Sequence, residues 1–159
     1  MKNSIRIYDP DNVDPTDPAH KVRYLLDNII RSAQKYYQPG KNLSVDESLV
    51  KFHGRWKHKV YISSKKAKWG IKFYCLCEAK TGYLYNWIIH AGRKTYDRMC
   101  FGTGVTLDLV NFIESSSGHE IYSDNYYTSP ELAIELAKRG NIFSLFHILN
   151  FVFISKDLD

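Results

Sequence analysis

The chain has 159 residues and a formal net charge of +5, and 44% of its residues are hydrophobic. This length suits one domain with a packed core, and the hydrophobic content lies above that of disordered chains. No segment reaches the roughly 20 consecutive apolar residues of a membrane span, and the first residues lack the apolar core of a signal peptide. We therefore expect one intracellular domain that does not contact a membrane.

The basic residues are concentrated in the middle of the chain. Residues 48–104 contain 12 Lys or Arg and 2 Asp or Glu, whereas residues 105–159 contain 3 and 8. Cations neutralise phosphates and aromatic rings can stack on bases, so the middle segment is a candidate DNA-binding surface. The alternative is an ordinary solvated hairpin, because lysines are common on exposed strands. The candidate DNA contacts are Lys51, Arg55, Lys57, Lys59, Lys65, Lys66, Lys68 and Lys72.

The predicted elements begin with an extended linker over residues 1–17, which are rich in Pro and Asp. Asp17 is a candidate N-cap with Pro18 at the first helical position, and apolar residues at helical spacing follow. These features predict a leading helix within residues 18–40, stopped by Pro39 and Gly40. We expect its apolar stripe to pack against the following sheet.

Strands are predicted next. Residues 43–52 predict the first strand and residues 59–62 a short extended piece, and residues 71–79 and 83–91 predict a hairpin that turns at Gly82. A β-rich sheet should therefore follow the leading helix.

Helices and strands alternate in the last third of the chain. After a loop over residues 92–104, a helix is predicted from Val105 to Ile113, with the serines and glycine of residues 115–118 as its terminator. A short strand, Glu120–Ser123, precedes a second helix that begins at Ser129 and Pro130. A further strand is predicted from residue 142 onward.

Two acidic residues, Asp46 and Asp124, are predicted to stand at the ends of apolar, β-rich strands. Asp46 lies within residues 43–50, and Asp124 follows the strand Glu120–Ser123. A carboxylate held by a sheet is a rigid ligand, and two together can hold divalent cations for phosphodiester chemistry. The alternative is that both are solvated turn residues. Glu47 should point away from Asp46, because adjacent strand residues face opposite sides of a sheet.

Four blocks of sequence resemble piggyBac-type transposases, in that family's order. Residues 43–55 contain the Ser-Val-Asp-Glu-Ser core followed by Phe-His-Gly-Arg, which resembles the family's first-carboxylate block. Residues 68–72, 80–83 and 124–129 resemble three further blocks. The resemblance covers residues 18–143. It implies an α/β fold of the RNase H-like (DDE transposase) type, a mixed sheet with flanking helices in which the first and fourth strands are neighbours.

The resemblance also implies a function, cut-and-paste DNA transposition by metal-dependent phosphodiester cleavage and strand transfer. It assigns Asp46 and Asp124 as the catalytic and metal-binding residues, with Mg²⁺ or Mn²⁺ as the cofactor, DNA as the partner and the nucleus as the location. The family's third acidic residue has no counterpart here, and residues 144–159 diverge from the family pattern. We therefore expect residues 18–159 to form a partial domain, incomplete at its C-terminal end, that is catalytically incomplete by itself.

Two alternatives to a transposase remain open. The chain could be a non-enzymatic, host-adapted DNA-binding module, whose affinity for DNA would survive loss of both aspartates. It could also be a nuclease completed by a partner, either a second copy of the chain or a full-length transposase relative. Activity would then appear only in the oligomer or the mixture.

Overall fold

The computed structural model describes residues 16–92, 99–113 and 118–145, together with Tyr8, Asp14 and Tyr96. Most of the expected linker and the tail beyond residue 145 lie outside the described residues. Among the described residues, no helix is long and apolar enough to cross a lipid bilayer. The described elements, in chain order, are α1 His20–Tyr36, β1 Asn42–Lys51, β2 Val60–Tyr61, β3 Trp69–Glu78, β4 Leu84–Ile89, α2 Phe101–Val110, β5 Glu120–Ser123, α3 Pro130–Lys138 and β6 Ile142–Leu145.

The six strands form one mixed sheet in the order β2-β3-β1-β5-β6, with β4 also paired to β3. β1 pairs antiparallel with β3 and parallel with β5, and β5 pairs parallel with β6. The predicted β3–β4 hairpin is confirmed, and Gly82 in its turn has a φ of 72°, in the left-handed region that favours glycine. If the two-residue β2 is left aside, β5 is the fourth strand. The expected neighbourhood of the first and fourth strands is therefore confirmed.

The core lies between one face of the sheet and the helices α2 and α3. Alternation along β1 directs Leu43 and Val45 into this core and Asp46 to the opposite face. Burial of the apolar side chains stabilises the layers by removing hydrocarbon surface from water. The core residues with at most 2% exposure include Leu43, Val45, Leu76, Val105, Leu109, Ile121, Leu132 and Leu136.

Helix α1 begins two residues later than predicted, although it ends near the predicted position. Ala19, not Asp17, occupies the N-cap position. The Asp17 carboxylate instead accepts a hydrogen bond from the Ala19 N–H (2.9 Å), ahead of the helix, and forms an ion pair with Arg23 (2.7 Å). The expected packing of the apolar stripe is only partial. No residue of α1 is fully buried, and Leu25 and Ile29 are 43% and 45% exposed.

Helix α2 begins at Phe101, earlier than predicted, so that Gly102 and Gly104 lie in its first turn rather than in a loop. A Cβ atom on Gly102 would lie 2.5 Å from the carbonyl oxygen of Tyr126. This glycine therefore allows the start of α2 to approach the backbone of the segment that follows Asp124. The expected terminator of α2 lies mostly outside the described residues, which omit 114–117.

Replacing Leu136 by Ala should lower the free energy of unfolding by about 2–5 kcal/mol, because it removes a fully buried side chain between α3 and the sheet. Ile134, on the same helix but 55% exposed, provides the matched control, and Ile134→Ala should cost about 0.5 kcal/mol or less. Urea denaturation of both variants measures the difference. Equal losses would contradict the core described here.

Candidate functional site

Asp46 lies in the middle of β1, not at its end as the sequence suggested. β1 continues to Lys51 because it remains paired with β3, but its pairing with β5 stops at Val45 and Ser123. Asp46 is therefore the first residue of β1 beyond its shorter neighbour. Its side chain is exposed, and its Oδ1 accepts a hydrogen bond from the N–H of Glu47 (2.7 Å).

Asp124 directly follows β5 and begins a turn. Its Oδ1 accepts a hydrogen bond from the Tyr126 N–H (3.0 Å). Its carbonyl oxygen accepts hydrogen bonds from the Tyr127 N–H (3.2 Å) and the Thr128 hydroxyl (2.8 Å). These bonds fix the backbone of the turn while the Asp124 side chain stays exposed.

The two aspartates are neighbours across the parallel strand pair. Because Val45 is paired with Ser123, Asp46 and Asp124 are the next residues in register and lie on the same face of the sheet. Both residues line one open cleft of about 280 Å³. The second oxygen of each carboxylate accepts no hydrogen bond from the described residues, and this leaves it available to a cation.

The donor set fits one hydrated divalent cation. Mg²⁺ is commonly held by one or two carboxylates together with water and substrate phosphate oxygens, and Asp46 and Asp124 supply two carboxylates. Two-cation phosphoryl transfer needs more, because further negative charge must offset the repulsion between the cations. Within the described residues, no group of three or more His, Cys, Asp or Glu could hold a metal ion.

The cysteine nearest in register does not add a ligand. Cys75 of β3 is paired with Asp46 and shares its face of the sheet, but its side chain is buried. Burial raises the pKa of the Cys75 thiol to about 12. The thiol therefore stays protonated at neutral pH, and only a thiolate binds a metal ion well.

Glu47 points away from Asp46 and joins a polar cluster behind the site. Its Oε2 accepts a hydrogen bond from the hydroxyl of Tyr127 (3.1 Å) and lies 3.9 Å from the Nζ of Lys72. Tyr127 is fully buried, and burial together with the charge of Glu47 raises the pKa of its hydroxyl, which remains a donor. Since Tyr127 lies three residues after Asp124, this bond ties the turn of Asp124 to the strand of Asp46.

Sequence reasoning missed the bond between Glu47 and Tyr127. The two residues are 80 positions apart, and no spacing rule connects them. One available sign was their position, because each accompanies an aspartate within one of the four sequence blocks.

Seven of the eight candidate DNA contacts lie in the segment between Lys51 and Lys68, and their side chains are at least partly exposed to solvent. Lys51, Lys59, Lys66 and Lys68 line an open cavity of about 400 Å³, and the side chains of Arg55, Lys57 and Lys65 are exposed. A hydrogen bond from the Ile62 N–H to the Lys68 carbonyl oxygen (2.9 Å) closes the turn between β2 and β3. We call these seven residues the basic edge.

Lys72 lies apart from the basic edge. Its side chain is only 18% exposed, and it lies beside Glu47 and over the rings of Tyr74 and Tyr126, 5.0 Å and 5.8 Å from their centroids. These contacts place Lys72 in the polar cluster behind the aspartates. Burial there leaves little of its charge accessible to a phosphate.

Comparison with known proteins identifies the family of this chain. A family model described as Transposase IS4 matches residues 2–144, so the chain belongs to this family of DDE-type transposases. DNA transposition is the role of the family, and such transposases in general use divalent metal ions.

Three similar proteins relate the chain to piggyBac transposases in particular. The chain is 25% identical over 145 residues to the human PiggyBac transposable element-derived protein 3, covering 87% of this chain and 24% of that protein. The human Chimeric ERCC6-PGBD3 protein matches with the same identity over the same share of this chain, which is 14% of that protein. A cryo-EM structure of the piggyBac transposase synaptic complex with hairpin DNA matches with a TM-score of 0.75 and 28% identity, covering 89% of this chain and 31% of that one.

These matches confirm the predicted piggyBac relationship and the RNase H-like α/β class. The chain spans about a quarter of the length of the human PiggyBac transposable element-derived protein 3. The activity of whole transposases therefore carries over to this chain only as a proposal.

Replacing Tyr127 by Phe should lower the free energy of unfolding by about 1–3 kcal/mol, because it leaves the half-buried Glu47 carboxylate without its hydroxyl donor. The neighbouring Tyr126 is 57% exposed and is the matched control, with an expected cost of about 0.5 kcal/mol or less for Tyr126→Phe. Urea denaturation at pH 7 measures both. A Tyr127→Phe variant as stable as Tyr126→Phe would show that the bond to Glu47 does not hold the turn.

Proposed function

We propose that this chain is the DNA-binding part of a piggyBac-type transposase in which Asp46 and Asp124 hold a Mg²⁺ or Mn²⁺ ion against a DNA phosphate. The observation that supports it most directly is the adjacency of the two aspartates in one open cleft. The related piggyBac transposase was solved as a synaptic complex with hairpin DNA. Because its substrate would be chromosomal DNA, we also propose a nuclear location.

The cleft of Asp46 and Asp124 and the basic edge have different roles in the proposed DNA binding. Asp46 and Asp124 are both exposed and both negative, so by themselves they repel a phosphate. The basic edge, which begins at Lys51 on the same strand as Asp46, would neutralise phosphates on one side of the cleft and so draw a DNA strand toward the aspartates. A divalent ion bound there would offset their charge, polarise the phosphodiester and lower the pKa of a bound water.

We propose that the chain alone binds DNA without cutting it. Cleavage assisted by two cations requires more negative charge than the two aspartates provide, and the described residues contribute no third acidic group to the cleft. A partner that adds a carboxylate, either a second copy or a full-length transposase relative, would complete the site. Cleavage would then appear only in the mixture.

A non-enzymatic DNA-binding module is the second candidate. It is favoured because the cavity of the basic edge is separate from the cleft of the aspartates. Lys51, which lines that cavity, is five residues from Asp46 along β1, on the order of 17 Å away. Binding through that cavity would not need the aspartates. In that case the affinity for DNA without metal should be the same for the wild type and for Asp46→Asn.

The metal site is tested by titrating the chain with Mn²⁺ and following the free ion by electron paramagnetic resonance. Loss of a residue that only hydrogen-bonds to a metal ligand commonly weakens metal binding 10- to 100-fold. Loss of a ligand itself should cost at least as much, so Asp46→Asn and Asp124→Asn should each weaken Mn²⁺ binding by about tenfold or more. Asp27→Asn makes the same change on α1, away from the cleft, and should leave it unaltered. Equal Mn²⁺ affinity in all four proteins would refute the site.

The DNA surface is tested by the salt dependence of binding to a duplex. The triple variant Lys65→Gln, Lys66→Gln, Lys68→Gln should reduce the slope of log affinity against log salt by about 2.7, at roughly 0.9 for each phosphate contact. The control variant Lys21→Gln, Lys35→Gln, Lys138→Gln changes the net charge equally on α1 and α3 and should leave most of the slope in place. If both triple variants change the slope equally, net charge rather than the basic edge explains binding.

A further inference from the structure

Two exposed aromatic rings lie side by side on the sheet next to the basic edge. Tyr61 of β2 and Trp69 of β3 are paired across their strands, with ring centroids 5.0 Å apart. Each residue is 52% exposed. Burial in the core therefore does not account for this pair, and the exposed ring surface is available to a ligand.

The cavity beside these rings combines an aromatic surface with positive charge. Trp69 lines the cavity of about 400 Å³ together with Lys51, Lys66 and Lys68, and the Lys59 Nζ lies 5.4 Å from the Trp69 ring centroid. Within the described residues, no Asp or Glu lines this cavity. Its volume falls within the range of about 300–1,000 Å³ that is usual for small-molecule sites. Rings and cations together match a base and its phosphate.

The ring pair faces the same side of the sheet as Asp46. Asp46 and Val50 lie on one face of the sheet, because they are separated by an even number of residues along β1. Val50 is paired with Ile71 of β3, so Ile71 shares that face. Trp69 precedes Ile71 by two residues and therefore lies on the same face. The Phe52 N–H donates a hydrogen bond to the Trp69 carbonyl oxygen (3.4 Å), so Trp69 lies level with a residue six positions beyond Asp46. That separation is on the order of 20 Å, or about six nucleotide steps of DNA.

We propose that this cavity binds one unpaired nucleotide, with its base stacked on the ring of Trp69, against which Tyr61 lies at an interplanar angle of 53°, and its phosphate held by the surrounding lysines. The proposal rests on the proposed DNA binding and refines it. Lysines of the basic edge contact the phosphates of any DNA, but in a duplex the faces of the bases are already stacked on one another. A free ring surface therefore favours a base that has left the helix.

The test uses the full chain and two DNA duplexes of the same sequence, one fully paired and one with a single unpaired 2-aminopurine nucleotide. The wild type should bind the second duplex roughly 5- to 160-fold more tightly, which corresponds to the usual free energy of stacking one base on an aromatic side chain. Stacking should also quench the fluorescence of 2-aminopurine. Fluorescence anisotropy of a dye at the far end of the duplex gives both affinities.

Three variants separate stacking from charge and from misfolding. Trp69→Ala should abolish the preference and the quenching while the affinity for the paired duplex stays within about twofold, and Trp69→Phe should retain part of both effects. Tyr36→Ala is the matched control, because Tyr36 is also exposed and has the Lys35 Nζ 5.2 Å from its ring centroid, but lies on α1. It should change nothing.

The outcomes distinguish this inference from the proposed function. If the wild type binds both duplexes equally and 2-aminopurine is not quenched, the nucleotide site is refuted while DNA binding stands. If neither duplex binds, both proposals fail. If Trp69→Ala leaves the preference intact but changes the sedimentation coefficient of the free chain, the rings form a contact between protein chains and the nucleotide site is refuted.

Discussion

Four parallel residue pairs between β1 and β5 determine where the candidate site lies. They run from Asn42 with Glu120 to Val45 with Ser123, and beyond them Asp46 and Asp124 stand side by side. A shift of one residue would turn the buried Val45 out of the core and would move Asp46 to the opposite face. The hydrophobic core therefore fixes the separation of two exposed carboxylates that do not contribute to it.

The turn that carries Asp124 is supported from two directions. On one side Gly102 lets the start of α2 approach the backbone of Tyr126, where a larger residue would collide. On the other side the hydroxyl of Tyr127 donates a hydrogen bond to Glu47, the neighbour of Asp46. These contacts thus hold the turn while its acidic side chain stays open to solvent.

Local signals predicted some elements well and others poorly. The strand Glu120–Ser123 has the bounds that the sequence predicted. The start of α3 was predictable because Ser129 caps the helix, accepting a hydrogen bond from the Leu132 N–H. The start of α2 was missed because glycine is a poor helix former. Gly102 is needed there for a close approach to the backbone of Tyr126, and such a tertiary contact cannot be read from composition. The position of Lys72 beside Glu47 was not predictable from local pattern, because a run of cations looks uniform until strand pairing assigns each one to a face. The neighbourhood of Asp46 and Asp124 was expected from the family resemblance, not from local pattern.

In the proposed function, Asp46 and Asp124 together form one cation site. The most direct test is a crystal structure of the chain soaked with Mn²⁺, with the ion located by its anomalous scattering. We expect one peak within coordination distance of both carboxylates, on the face of the sheet opposite the core. This expectation would be contradicted by a crystal in which the two carboxylates point to opposite faces, or in which Mn²⁺ binds elsewhere and leaves the space between Asp46 and Asp124 empty.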